Sequence, residues 1–195
     1  MSFFEPQPPK EPSAPWRPPA WVQEPKDWIG AACGIHAVMA TTPEFAVLAH
    51  SFVAYPVGVS FVIELRVRRE TGSSPLALDF HRTMQATYTD GELSPTFFRF
   101  GIELSDGTKL TNLDRHETPV VDEGPPLSPV LRQRGGGGGV DMEIRYWLWP
   151  LPDGRPMSLV CEWPVLNLSV SRIELDTAEI ARAAELSRPC FESTG

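Results

Sequence analysis

Four histidines, three cysteines and a run of five glycines are the residues most readily turned to catalysis or ligand binding. His36, His50, His81 and His116 sit in four separate segments, and none has a His or Cys two to four positions downstream. No metal-ligand spacing is therefore present, and neither a metal nor a cofactor is expected. Cys33, flanked by Ala31, Ala32 and Gly34, has the setting of a small-residue packing site. Cys161 alternates with apolar neighbours, as an inert core thiol does. No serine stands in a Gly-x-Ser-x-Gly elbow. Gly135 to Gly139 lack the Lys-Ser/Thr of a phosphate loop, so they read as a flexible connector. Close backbone approach to another surface is the other use of such a run. Among carboxylates, Asp106/Asp114 and Glu143/Glu162 are candidate pairs, with Glu143 and Glu162 on adjacent strands. A hydrolase would need those acids to meet His81 or His116 in one pocket; a solvated face is the plainer use of them.

The tryptophans carry the stronger signal. Trp147 and Trp149 share a strand face with Glu143 and Arg145, and Trp163 follows on the next strand-like run. Trp16 and Trp21 interrupt a proline-rich start. Trp147, Trp149, Trp163, Arg145, Trp16 and Trp21 are thus the candidate binding residues. If the Trp147/Trp149 face is outer, it marks a binding surface, and stacking against sugar rings is one use. If the N-terminal arm or a C-terminal helix covers it, it is a second core face. Coverage is the expectation.

Residues 1–26 contain eight prolines and read as a disordered or polyproline II arm. That arm is either a loose tail or a strap that lays its indoles on the body or on a partner. Glu44 to Tyr55 reads as a strand in which Leu48, His50 and Phe52 share one parity. From Val59 to Arg68, apolar Val59, Phe61, Ile63, Leu65 and Val67 alternate with Ser60, Glu64, Arg66 and Arg68. That alternation predicts a half-buried antiparallel strand. Asp106-Gly107 joins two strand-like runs and predicts a hairpin. Residues 114–139 read as a long loop ending in the glycines. The runs Val140–Trp149 and Met157–Trp163 then read as a second hairpin, with Met142, Ile144, Tyr146 and Leu148 on its core face. A parity slip at Ser171-Arg172 predicts a β-bulge. Asp176 and Glu179 have the spacing of a capping box before a helix that packs weakly or stands out as a contact element.

These elements predict an all-β fold: a two-layer antiparallel β-sandwich of about seven strands with one short C-terminal helix and a proline-rich N-terminal arm. A barrel is the alternative. The expected division is the arm over 1–26, the sandwich over 27–175, the helix over 176–188 and a tail over 189–195. The chain of 195 residues is long enough for a core without disulfide or metal. A net charge of −8 argues against a nucleic-acid partner. The absence of a long apolar stretch or a signal-like start points to a cytoplasmic chain off the membrane.

Gly135 to Gly139, Tyr146-Trp-Leu-Trp-Pro-Leu-Pro152, Cys161-Glu-Trp-Pro164 and Tyr55-Pro56 resemble a signature of an uncharacterised actinobacterial family. The resemblance covers most of residues 15–188. It implies a bacterial cytoplasmic protein and assigns no residue a role. The expected function is a non-enzymatic binding or assembly module with a protein partner or a second copy. A carbohydrate- or small-molecule-binding sandwich is the alternative, and a hydrolase is third.

Overall fold

The computed structural model describes residues 18–68, 83–84, 88–114, 124–138 and 141–192. Within them the chain forms the expected antiparallel β-sandwich, built from a six-stranded and a four-stranded sheet. The larger sheet runs β10 (Val130–Gly138), β11 (Met142–Trp149), β5 (Gly58–Val67), β4 (Phe45–Tyr55) and β2 (Ala31–Ala32), and β3 (Ala37–Thr41) also pairs with β4. The smaller runs β13 (Leu168–Leu175), β12 (Met157–Trp163), β8 (Arg99–Glu103) and β9 (Lys109–Thr111). Two short ribbons complete it: β1 (Trp28–Ile29) with β14 (Arg188–Pro189), and β6 (Tyr88–Thr89) with β7 (Glu92–Leu93). The strand number exceeds the expected seven because several of these strands are too short to leave a period in the sequence.

The glycine run is the largest correction. It is strand, not connector: Gly135, Gly136, Gly137 and Gly138 pair with Arg145, Ile144, Glu143 and Met142. Glycine contributes no side chain to packing and weakens a strand, so the local signal favours a loop. The β11 ladder overrides it. A second correction follows. The hairpin of β11 is with β10, while β11 and β12 lie in different sheets. Residues 150–156 carry the chain from one layer to the other.

The β5 strand is buried on both faces rather than one; only Arg66 is exposed. Its central place in the larger sheet gives it neighbours whose long side chains cover Ser60, Val62 and Glu64. In β4 the register against β5 jumps between His50 and Val53, and Ser51 takes a left-handed φ of 54°. That bulge turns Phe52 to the inner face beside Val47 and Ala49 and leaves His50 outside. In β13 the bulge falls at Ser169-Val170, just before the predicted slip, and leaves Val170 exposed. The Asp106-Gly107 hairpin forms as predicted, with Glu103 opposite Lys109.

Aromatic rings fill the space between the layers. Phe61 stacks on Phe52 at 5.1 Å and on Tyr146 at 5.7 Å, and Phe100 reaches Tyr146 at 4.7 Å. Helix α1 (Ala178–Leu186) belongs to this core through Ile180, Ala183 and Ala184, so it is neither weakly packed nor projecting. Its capping differs from the predicted box. Asp176 accepts the Ala178 N–H at 2.9 Å, but Glu179 reaches away and accepts the Gly34 N–H at 2.6 Å. The helix is thereby tied to the segment between β2 and β3.

Candidate functional site: the outer face of the six-stranded sheet

Antiparallel register arranges the outer side chains of the larger sheet in rows across four strands. One row holds Val53, Ser60, Trp147 and Arg132. The next holds His50, Val62, Arg145 and Gly135. A third holds Leu48, Glu64, Glu143 and Gly137. These rows divide the face into two halves.

The N-terminal arm roofs the first half. Trp147 has no exposed surface, and its Nε1 donates to the Ala20 carbonyl at 2.9 Å. Trp21 meets Trp149 edge-on at 6.2 Å, Val22 is buried, and Gln23 accepts from Arg134 at 2.5 Å. Tyr55 closes on Trp147 from β4 at 5.7 Å. A side chain at Gly58 would have its Cβ 2.5 Å from the Trp147 ring and 2.6 Å from the Leu148 carbonyl oxygen, so only glycine fits beneath the indole. Of the two readings of the Trp147/Trp149 face, coverage by the arm is the one found. Trp163 is likewise core: it packs on Phe98 and Phe45 and donates from Nε1 to the Thr96 carbonyl at 3.0 Å. Trp147 and Trp163 therefore offer no surface to a partner, because each indole fills interior volume. Trp16 lies outside the described residues. Of the six candidates, Arg145 is fully displayed and Trp149 and Trp21 partly so.

No described element roofs the second half. Gly135 and Gly137 have nothing within 4 Å of where a Cβ would stand. Their lack of side chains leaves a trench of about 220 Å³ bordered by Val62, Arg134, Glu143 and Arg145. Arg134 is engaged by Gln23 and lies 3.9 Å from Glu24, whereas the Arg145 guanidinium makes no hydrogen bond or ion pair with a described residue. Beside the trench stands a polar cluster that the sequence did not reveal. The His50 Nε2 is 3.1 Å from Glu64 Oε2, and its Nδ1 is 2.8 Å from the Ser51 hydroxyl. Arg66 grips the same carboxylate, Nε to Oε1 at 2.8 Å and Nη2 to Oε2 at 2.9 Å. Glu64 is buried, and these donors satisfy oxygens that water does not reach.

The predicted carboxylate pairs dissolve. Glu143 faces outward from the larger sheet beside Glu64, while Glu162 faces outward from the smaller one and pairs with Arg99 at 3.0 Å. They were expected on adjacent strands, but β11 and β12 lie in separate layers. Asp106 and Asp114 brace their own turns, accepting from the Thr108 and Thr111 N–H groups at 2.9 and 2.7 Å. His81 and His116 lie outside the described residues. Burial pushes the Cys161 thiol up to about 12, which keeps it protonated and unreactive. Among the described residues no group of three His, Cys, Asp or Glu is placed to hold a metal, and no helix is long and apolar enough to cross a membrane.

The smaller sheet carries a second concavity on its outer face, about 420 Å³. Gly101, Val160 and Thr111 form its floor, Leu93, Leu113 and Val170 its sides. Gly101 is required there because a Cβ would come within 2.9 Å of the Leu110 carbonyl oxygen. The Arg99–Glu162 pair and an Arg172–Glu103 pair at 2.7 Å flank it. The bond from Arg172 holds the half-buried Glu103 carboxyl below its usual range. No family model matches the chain, and no curated protein or solved structure matches it either.

Proposed function

We infer that the protein is a binding module that takes an extended segment of a partner protein along β10. The observation that carries this reading is the position of the glycine run: Gly135 to Gly138 form the outermost strand of the six-stranded sheet, with residues 133–137 exposed. An outermost strand has backbone donors and acceptors available for one more strand. Most proteins blunt such an edge with lysine, proline or a covering element; here glycines leave both strand faces open. Side chains of an added strand then have the trench to occupy, and a carboxylate among them reaches Arg145.

Octapeptides selected from a random library against the full chain test this. Enrichment of extended sequences with an Asp or Glu is expected, together with loss of binding in Gly137→Lys, whose Cβ meets nothing within 4 Å and whose side chain occupies the trench. Arg145→Ala is expected to weaken binding about tenfold, the worth of one charged hydrogen bond. Selected peptides that bind Gly137→Lys unchanged would rule the reading out. A concentration-dependent dimer abolished by the same substitution would instead give the edge to a second copy.

A second reading rests on the hollow over Gly101 and Val160. Its volume and apolar floor suit a small apolar ligand. Val160→Arg should remove any such ligand while leaving the β10 edge unaffected, and titration with an apolar fluorescent probe reads the difference.

A further inference from the structure

We propose that Ser51, His50 and Glu64 form a nucleophile, a base and an orienting acid for acyl transfer from a small ester. None of the three residues belongs to β10, and Arg145 is the one residue shared with strand addition there.

The hydrogen bonds fix the roles. Both Glu64 oxygens accept from Arg66, and with the carboxylate as acceptor the third bond comes from the His50 Nε2–H. In the neutral imidazole Nδ1 then carries the lone pair, and that nitrogen lies 2.8 Å from the Ser51 hydroxyl. Ser51 therefore donates to His50. This is the division of labour of a serine–histidine–acid set, with the two ring nitrogens exchanged. His50 touches the reacting oxygen; Glu64 and Arg66 act through His50 as positioning residues.

The backbone supplies an independent indication. Ser51 is exposed and sits at φ 54°, a region that strains any residue but glycine. The register jump between His50 and Val53 puts it there, and it takes the hydroxyl out of the alternation of β4. A glycine would relieve the strain, yet a serine occupies the position. The surroundings suit an ester. Val62 separates His50 from Arg145 in one row and provides an apolar floor. Two strand spacings, ~10 Å, separate the His50 and Arg145 backbones, within reach of an arginine side chain leaning across Val62. The Arg145 guanidinium, which has no hydrogen bond or ion pair with a described residue, is then available to the oxygen that becomes negative.

The step balances with water as the only co-reactant. The Ser51 oxygen bonds to the ester carbonyl carbon as its proton passes to His50 Nδ1. The tetrahedral oxyanion collapses, the bond to the alkoxide breaks, and His50 returns the proton to the leaving alcohol. Water then attacks the acyl carbon as His50 Nδ1 takes its proton, the bond to the Ser51 oxygen breaks, His50 returns the proton to that oxygen, and the acid leaves.

Treating the full chain with a fluorophosphonate and measuring intact mass and peptide maps tests the set. One adduct on Ser51 with loss of fluoride is expected. It should be absent in Ser51→Ala and slowed roughly a hundredfold in His50→Gln and Glu64→Gln, in keeping with the loss of general-base assistance. Ser51→Gly should melt higher than the parent while losing all labelling, which separates reactivity from folding should the Glu64 variant prove unstable. No adduct on Ser51, or an equal labelling rate in Ser51→Ala, would overturn the proposal.

Discussion

The two halves of the larger sheet's outer face stand on the same four strands and have opposite fates. Where β10 supplies Val130 and Arg132, the opposed residues of β11 are Trp149 and Trp147, and the arm lies over them. Where β10 supplies glycine, the opposed residues are Arg145 and Glu143, and the surface is hollow. What an edge strand offers its neighbour thus decides whether a sheet face becomes interior or interface. The covered half stabilises the fold; the hollow half is left open by the described residues.

Breaking the covered half should be costly. Trp147→Ala removes a fully buried indole and should lower unfolding free energy by about 3–5 kcal/mol in a denaturant titration. Deleting residues 1–24 uncovers Trp147 and Trp149 and removes the buried Val22 with its contacts; a loss of about 2–3 kcal/mol and a red shift of tryptophan emission are expected. Gly58→Ala should cost about 1–3 kcal/mol, because the new methyl must displace both an indole and a backbone oxygen. On the hollow half, Gly137→Val should change stability by no more than about 0.5 kcal/mol, since its Cβ meets nothing. If Gly58→Ala and Gly137→Val shift the midpoint equally, the division of the face is wrong.

Much of this frame was legible. The alternation of Met142, Ile144, Tyr146 and Leu148 against Glu143, Arg145, Trp147 and Trp149 names the two faces of β11 correctly, and Asp106-Gly107 names its turn. The glycine strand was not legible, because glycine has no side chain to carry a period and its pairing is dictated by β11. Nor was the placement of β12: two adjacent strand-like runs joined by a short proline-rich link look like a hairpin whether or not they share a sheet. The Ser51–His50–Glu64 cluster was half legible. Parity puts Glu64 and Arg66 on the outer face of β5, and the tight turn at Pro56-Val57 puts β4 beside β5, but parity groups His50 with Phe52, which the bulge turns to the opposite face. The bulge that isolates Ser51 has no signature, since serine rarely adopts that conformation.

The bond between Trp147 and Ala20 spans 127 positions of sequence. On a ribosome adding about 5–20 residues each second, Ala20 emerges roughly 6–25 s before its partner indole is made. The roof of this protein is therefore synthesised first and installed near the end. Throughout that interval Trp21 and Val22 are without their final neighbours, so any helper or protease acting on the nascent chain meets them there.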